Sequence, residues 1–273
     1  MRAWVGGRLL EDIDAPAISV LDHGLTVGDG VFETVKAVRG EPFALTRHLQ
    51  RLSVSAAGLG LPEPDHDDVR AAVRAVLDGQ TDALTRVRIT WTAGPGPLGS
   101  ARGEGPATLA VVVSDAVERA ERVAVATVPW PRNERSAVAG LKTTSYAENV
   151  VALDAAKGAG ASEAVLANTR GELCEGTGSN VFYVLDAELV TPTLASGCLA
   201  GVTRALVLQW CDVAERDAPV SVLLEADEVF LAGTTRDVQP VHRVDGRELP
   251  APGPVTGEVL TTWARRAAED PDP

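Results

Sequence analysis

Cysteine, lysine and net positive charge are all scarce in this chain, and it has no long apolar run. The three cysteines, Cys174, Cys198 and Cys211, are an odd number without CxxC or Cys/His ligand spacing. That excludes a disulfide framework and gives no zinc site, so they are expected to be reduced packing residues. Lys and Arg total 25 against 38 Asp and Glu, a net charge of −13 that would repel a polyanion, so nucleic acid is not an expected partner. No run approaches the roughly 18 apolar residues that a membrane helix needs. Trp4-Val5-Gly6-Gly7, near the start, is not the basic-then-apolar pattern of a secretory signal. A cytoplasmic protein without a membrane partner is expected.

What remains is ordinary globular material. Apolar residues make up 45% and charged residues 23%, which leaves no case for wholesale disorder. At 273 residues the chain exceeds the usual size for one core, so two lobes are expected.

Ala3-Trp4-Val5, Gly6-Gly7 and Arg8-Leu9-Leu10 read as a β-hairpin with a primed turn. Residues 31–38 are rich in β-branched side chains and read as a strand. Thr46 is expected to cap a helix with the apolar stripe Leu49, Leu52, Ala56 and Leu59, ending at Gly58 and Gly60, with His48 and Arg51 on one face. A helix over 67–77 and strands over 86–91 and 108–113 follow. The Gly/Pro-rich stretch 93–106 between those strands is expected to be a mobile or substrate-selecting loop.

Polar residues 114–122 suggest a lobe boundary, giving a smaller N-terminal α+β domain over 1–117 and a larger one over 118–273 that carries Lys142. In the larger domain, helices are expected over 146–157, 203–214 and 254–268, with strands over 123–128, 163–167, 180–185 and 229–232. This irregular interleaving argues for an α+β fold rather than a doubly wound parallel sheet.

Several separated segments gain meaning together. An aldehyde-bearing, phosphorylated cofactor needs a lysine amine, an acid beside its ring nitrogen and donors for a dianionic phosphate. Lys142 is one of only three lysines, with Lys36 and Lys157. Taken alone, it is most simply a solvated loop residue. Glu175 precedes the turn Gly176-Thr177-Gly178-Ser179-Asn180, which can push a carboxylate into a pocket whose rim is lined with backbone amides. Thr203, opening a helix after Gly201-Val202, can turn its amide, its hydroxyl and the helix dipole toward phosphate, or simply cap the helix. Gly233-Thr234-Thr235 offers further hydroxyls, and Arg51 a guanidinium fork. Tyr146, four residues past Lys142, either approaches the cofactor ring or packs at a helix start.

These residues resemble the class IV pyridoxal-phosphate aminotransferases, the fold-type IV group of branched-chain and D-amino-acid aminotransferases and 4-amino-4-deoxychorismate lyases. The resemblance spans nearly the whole chain. It is carried by Asp22-His23-Gly24-Leu25, Gly28-Asp29-Gly30-Val31-Phe32-Glu33-Thr34, His48-Leu49-Gln50-Arg51-Leu52 and Glu175-Gly176-Thr177-Gly178-Ser179-Asn180-Val181-Phe182. It implies a two-lobed fold-type IV enzyme and a homodimer, with each active site between the lobes and bordered by a loop of the partner subunit. The implied cofactor is pyridoxal 5'-phosphate, with Lys142 as its Schiff-base lysine and Glu175 at the pyridine nitrogen. Arg51, Val202, Thr203, Thr234 and Thr235 would hold the phosphate, Tyr146 would approach the ring oxygen, and Ser179 and Asn180 would line the cofactor. Phe32, His48 and Trp91 fall on the substrate side.

Gly140-Leu141-Lys142-Thr143-Thr144-Ser145-Tyr146 and the short chain look most like the lyase branch, which converts 4-amino-4-deoxychorismate to 4-aminobenzoate and pyruvate in folate biosynthesis. The alternative is an aminotransferase for branched-chain or D-amino acids. Glu33 is more typical of the aminotransferases. Thr90-Trp91-Thr92 lacks an arginine that related lyases and D-amino-acid enzymes often carry, which leaves Arg102, Arg132 and Arg236, each otherwise a surface charge, as candidates for a substrate carboxylate.

Overall fold

A computed structural model describes residues 1–116 and 118–273; the lobe boundary expected after residue 117 falls at Val117, outside the described residues. The chain forms two compact units. One comprises Met1–Glu118, Leu141–Ser145 and Pro271–Pro273, and the other Arg119–Gly140 and Tyr146–Asp270. Lys142 therefore packs with the first unit, not with the stretch that follows residue 118, where the sequence reading placed it.

The first unit contains β1 (Arg2–Val5), β2 (Arg8–Leu9), α1 (His23–Thr26), β3 (Gly30–Val38), β4 (Glu41–Pro42), α2 (Leu45–Leu59), α3 (His66–Leu77), β5 (Thr85–Thr92) and β6 (Thr108–Ala116). Its strands form one antiparallel sheet in the order β2-β1-β6-β5-β3-β4. Gly6 and Gly7 both have positive φ, as the primed turn of the expected hairpin requires. Alternation along β3, β5 and β6 turns Val31, Val35, Val87, Ile89 and Val111 to one face, where they pack with Leu49, Leu52 and Ala56 of α2 and Val69, Val73 and Val76 of α3. Each such buried aliphatic side chain contributes roughly 1.5–3 kcal/mol, so this layer fixes where α2 lies on the sheet.

The ends of α2 differ from expectation. The helix begins at Leu45, so Thr46 is inside it, and Ala44 at the cap position has φ +54° and makes no side-chain capping bond. Asp272 substitutes: its carboxylate accepts from Thr46 N at 2.8 Å and Thr46 Oγ1 at 2.5 Å, and Pro271 O accepts from Ala44 N at 2.7 Å. These bonds satisfy amides that a helix start otherwise leaves open. Asp272→Ala is expected to lower stability by about 1 kcal/mol in urea unfolding; an unchanged midpoint would show that the tail does not cap this helix. At the other end Gly60 is the left-handed cap, at φ +67°. Gly58 instead lies within the helix, where a Cβ would stand 2.6 Å from Leu141 Cδ2.

Residues 93–106 contain no helix or strand, but side chains tie them down. A ring nitrogen of His23, Nε2, lies 2.9 Å from Pro97 O, and Arg102 donates at 2.7 Å to both carboxylate oxygens of Asp29 and to the carbonyls of Leu59 and Gly60 at the end of α2. A cation there also suits the negative end of the helix dipole.

The second unit contains β7 (Val123–Thr127), α4 (Ala147–Gly158), β8 (Glu163–Ala167), β9 (Leu173–Gly176), β10 (Asn180–Leu185), β11 (Glu188–Thr191), α5 (Val202–Trp210), β12 (Ala214–Glu215), β13 (Glu228–Gly233), β14 (Asp237–Val244), β15 (Arg247–Glu248) and α6 (Pro254–Glu269). Eight strands run in the order β12-β11-β10-β13-β14-β7-β8-β9, and β15 pairs with β14. The pairs β14·β7, β7·β8 and β11·β12 are parallel and the rest antiparallel. With the helices, these two sheets make the fold α+β.

Val125, Val165, Val181, Leu231 and Val241 belong to one core cluster of this unit, and a small-residue cluster of Ala124, Ala126, Ala152, Ala156 and Ala164 seats α4. The helix expected over 203–214 ends at Trp210, because Cys211 is extended and Ala214 joins β12. Cys174 and Cys198 are buried and free, and burial pushes both thiols up, as inert packing residues require. Among the described residues no helix is long and apolar enough to cross a membrane.

Candidate active site

In the first unit β4 covers only the far end of β3, pairing with Ala37 and Val38. Over Gly30–Phe32 that edge is taken by the segment around Lys142. Phe32 N donates to Lys142 O at 2.9 Å, Thr144 N donates to Gly30 O at 2.8 Å, and Thr143 bridges Val31. Lys142 N also donates to Ser55 Oγ on α2 at 3.2 Å, and Leu141 fills the space above Gly58. The loop is thus held against the edge of β3 by backbone bonds and an isolated bridge, and Lys142 Nζ stands 4.3 Å from the centroid of the buried Phe32 ring.

Glu33 points to the other face of β3, among the core valines, and is fully buried. A carboxylate there requires partners. Its Oε1 accepts from Arg51 Nε and its Oε2 from Arg51 Nη2, each at 2.7 Å, and His48 Nδ1 lies 2.7 Å from Oε2. Burial alone would raise the Glu33 pKa, but the charge and hydrogen bonds of Arg51, with those of His48, bring it down to about 2. Burial also lowers the His48 pKa, against the pull of Glu33. The pair His48 and Arg51, expected on one face of α2, is therefore organised by an acid that the sequence reading noted only as a family marker. The signal was present: alternation puts Glu33 between Val31 and Val35, where an unpaired acid would be costly.

In the second unit Glu175 lies on β9, just ahead of the expected turn, and is buried. Its Oε1 accepts from Arg132 Nε at 3.2 Å and its Oε2 from Leu199 N at 2.9 Å. Arg132 also donates to Asn149 Oδ1 and Glu148 Oε2. Asn180 Nδ2 donates to Leu199 O at 2.8 Å, so one peptide segment joins Glu175 to Asn180. Tyr146, just before α4, donates its hydroxyl to Thr177 O at 3.1 Å. Beneath that turn, buried Glu163 accepts from Thr177 Oγ1, from Gly178 N at 3.2 Å and from Arg236 Nη2 at 2.7 Å.

The family model for amino-transferase class IV matches residues 30–244. The chain belongs to the class IV aminotransferases. It is 32% identical over 262 residues to a Methanocaldococcus jannaschii protein provisionally named a branched-chain-amino-acid aminotransferase, covering 90% of this chain and 89% of that one. A hypothetical aminotransferase of Mycobacterium tuberculosis, solved with α-ketoglutarate and PMP bound, superposes with a TM-score of 0.86 at 27% identity over 98% of each chain. A Legionella pneumophila structure provisionally named a 4-amino-4-deoxychorismate lyase superposes with a TM-score of 0.86, over 94% of this chain and 97% of that one. At 24% identity, that likeness is one of fold alone.

Pyridoxal phosphate is the cofactor of this class, and the second unit's groups suit its phosphate. The hydroxyl of Ser179 is buried and, among the described residues, has no hydrogen-bond partner, an arrangement that is costly unless a ligand supplies one. The first turn of α5, at Val202 and Thr203, has no side-chain cap among the described residues, which leaves amides directed at the N-terminal end. A Cβ on Gly201 would collide with Asn180 Oδ1, and one on Gly233 would lie 3.7 Å from Ser179 Cβ, so the turn carrying Thr234 and Thr235 abuts Ser179.

Other expected site residues are placed differently. Trp91 shares a sheet face with Val31, packs against the core and donates its indole N–H to Pro62 O at 2.9 Å, so it lies on the opposite face from Phe32. His48 is committed to Glu33. All three arginine candidates for a substrate carboxylate already meet acids of this chain: Arg102 meets Asp29, Arg132 meets Glu175 and Arg236 meets Glu163.

Proposed function

We propose that this chain is a pyridoxal-phosphate aminotransferase that moves an amino group between α-amino and α-keto acids. The observation that carries the reading is Lys142, held by edge pairing with β3 so that its ammonium stands over Phe32. The names of the M. jannaschii and M. tuberculosis relatives, and the α-ketoglutarate in the latter's structure, support transamination over the lyase reaction. The loop motif around Lys142 keeps the lyase as the second reading.

When bound, pyridoxal phosphate supplies an aldehyde for amines and a ring that withdraws electrons from the bonds at the substrate Cα. Lys142 offers the amine that holds the cofactor, and its Nζ then takes and returns the proton at the substrate Cα. Glu175, steadied by Arg132 and Leu199 N, favours a protonated ring nitrogen. In the second unit Ser179, Val202, Thr203, Thr234 and Thr235 would bind the phosphate, and Tyr146 and Asn180 would border the ring; Arg51, expected from the sequence to join them, directs its fork at Glu33 instead. The exposed apolar residues Ile13, Ile18, Val20, Leu21, Leu25 and Val27 support a homodimer, and three free cysteines suit a reducing cytoplasm.

The expected result is amino transfer from branched-chain or D-amino acids that depends strictly on an added 2-oxoglutarate or pyruvate acceptor. Pyruvate released from 4-amino-4-deoxychorismate without any acceptor would establish the lyase instead.

A further inference from the structure

We propose that Glu163 is a positioning residue for the cofactor's phosphate: its two oxygens fix, relative to each other, the turn that carries Ser179 and the turn that carries Thr234 and Thr235. This rests on the phosphate site proposed above. Glu163 lies on β8 and is 2% exposed. Its Oε1 accepts from Thr177 Oγ1 and, at 3.2 Å, from Gly178 N, on the two residues just before Ser179. Its Oε2 accepts at 2.7 Å from Nη2 of Arg236, the residue just after Thr235. Arg236 Nη1 donates in turn to Gln239 Oε1 at 2.5 Å, and Gln239 Nε2 to Ala120 O at 2.6 Å. One carboxylate thus serves both turns, and its cationic partner is itself anchored. All of these groups belong to the second unit.

The turns need such a support. Gly176 and Gly178 flank Thr177, and glycine leaves a backbone many conformations. Where the turns meet, a Cβ on Gly233 would stand 3.2 Å from Gly178 O and 3.7 Å from Ser179 Cβ, so a shift of one turn displaces the donors of the other. A phosphate is held well only when several donors reach it at once, which requires that they be fixed beforehand. Glu163 does not itself bind the phosphate. A carboxylate repels a dianion, and both of its oxygens are taken up by donors of this chain. Buried ion pairs add little net stability, so fixed geometry accounts better for this one.

The test titrates the full chain, stripped of cofactor, with pyridoxal 5'-phosphate and with pyridoxal, which keeps the ring and aldehyde but lacks the phosphate; absorbance reports each Kd. The parent is expected to bind the phosphorylated form far more tightly. For Glu163→Gln that Kd is expected to rise about 30-fold, as when a group that orients a binding group is lost, while the pyridoxal Kd changes less than about threefold. Arg236→Gln, at the partly exposed end of the pair, is expected to raise it about tenfold with the same selectivity, and it carries the test if Glu163→Gln does not fold. The two losses together should be smaller than their product, because both break one pair. Equal losses for both ligands, or an unchanged preference for the phosphorylated form, overturns the proposal alone. A parent that binds pyridoxal as tightly as its phosphate ester overturns the phosphate site, and the proposal with it.

Discussion

Lys142→Ala is expected to abolish turnover, a loss of at least about 10³-fold, together with the visible absorbance of the lysine-linked cofactor. Under the proposed function two roles would disappear with this one side chain, the covalent hold on the cofactor and the base at the substrate Cα. The fold should survive. The segment is held through the backbone bonds of Lys142 and Thr144 to β3 and of Lys142 N to Ser55, none of which uses the lysine side chain. The variant should therefore match the parent in urea unfolding without cofactor. Turnover within tenfold of the parent, in a folded variant, would remove Lys142 from the chemistry.

The second large effect is expected at Glu33. Glu33→Gln removes a fully buried negative charge and turns an amide N–H₂ toward Arg51 or His48. Leaving the partly buried guanidinium without its counter-charge costs about 3 kcal/mol. The pH dependence gives the sign. The folded pKa of Glu33, about 2, is below its ordinary value of 4.5, so its stabilisation is complete above pH 4.5 and is lost as pH falls toward 2. His48 adds in the same direction. Its folded pKa lies below 6.5, so below that pH the unfolded chain takes up a proton more readily than the folded one, and stability declines. Urea unfolding at pH 7 should show the deficit of Glu33→Gln, and its acid decline between pH 4.5 and 2 should be shallower than the parent's. A deficit under about 0.5 kcal/mol, with the acid limb unchanged, would mean that Glu33 does not organise Arg51.

Much of this was legible in the residues because local periodicity and local function coincide there. The β3 run, the Leu49–Leu52–Ala56 stripe of α2 and the Gly6-Gly7 turn each follow from neighbouring residues alone. The strand β14 was missed for an equally local reason: it carries Pro240, which argues against an interior strand, and its pairing shifts register between Val241 and Arg243. Thr46 was misread because the group that meets its amide, Asp272, is 226 residues away. The site divides in the same way. Motif residues such as Lys142 and Glu175 stand out by type and spacing, whereas Arg132 gains meaning only from its long-range ion pair with Glu175. Asp22 and His23, prominent in the motif, serve structure in this chain: Asp22 caps α1 and accepts from Thr108 Oγ1, while His23 anchors Pro97.

The central claim, that this class IV enzyme joins its cofactor to Lys142, can be tested at the atom concerned. The chain has only two other lysines, Lys36 and Lys157, so borohydride reduction of the cofactor-loaded protein, followed by peptide mass analysis, has three possible outcomes for a lysine adduct. The expected result is one pyridoxyl-phosphate adduct, on the peptide containing Lys142. An adduct on Lys36 or Lys157, or none on a protein that has retained its absorbance, would contradict it.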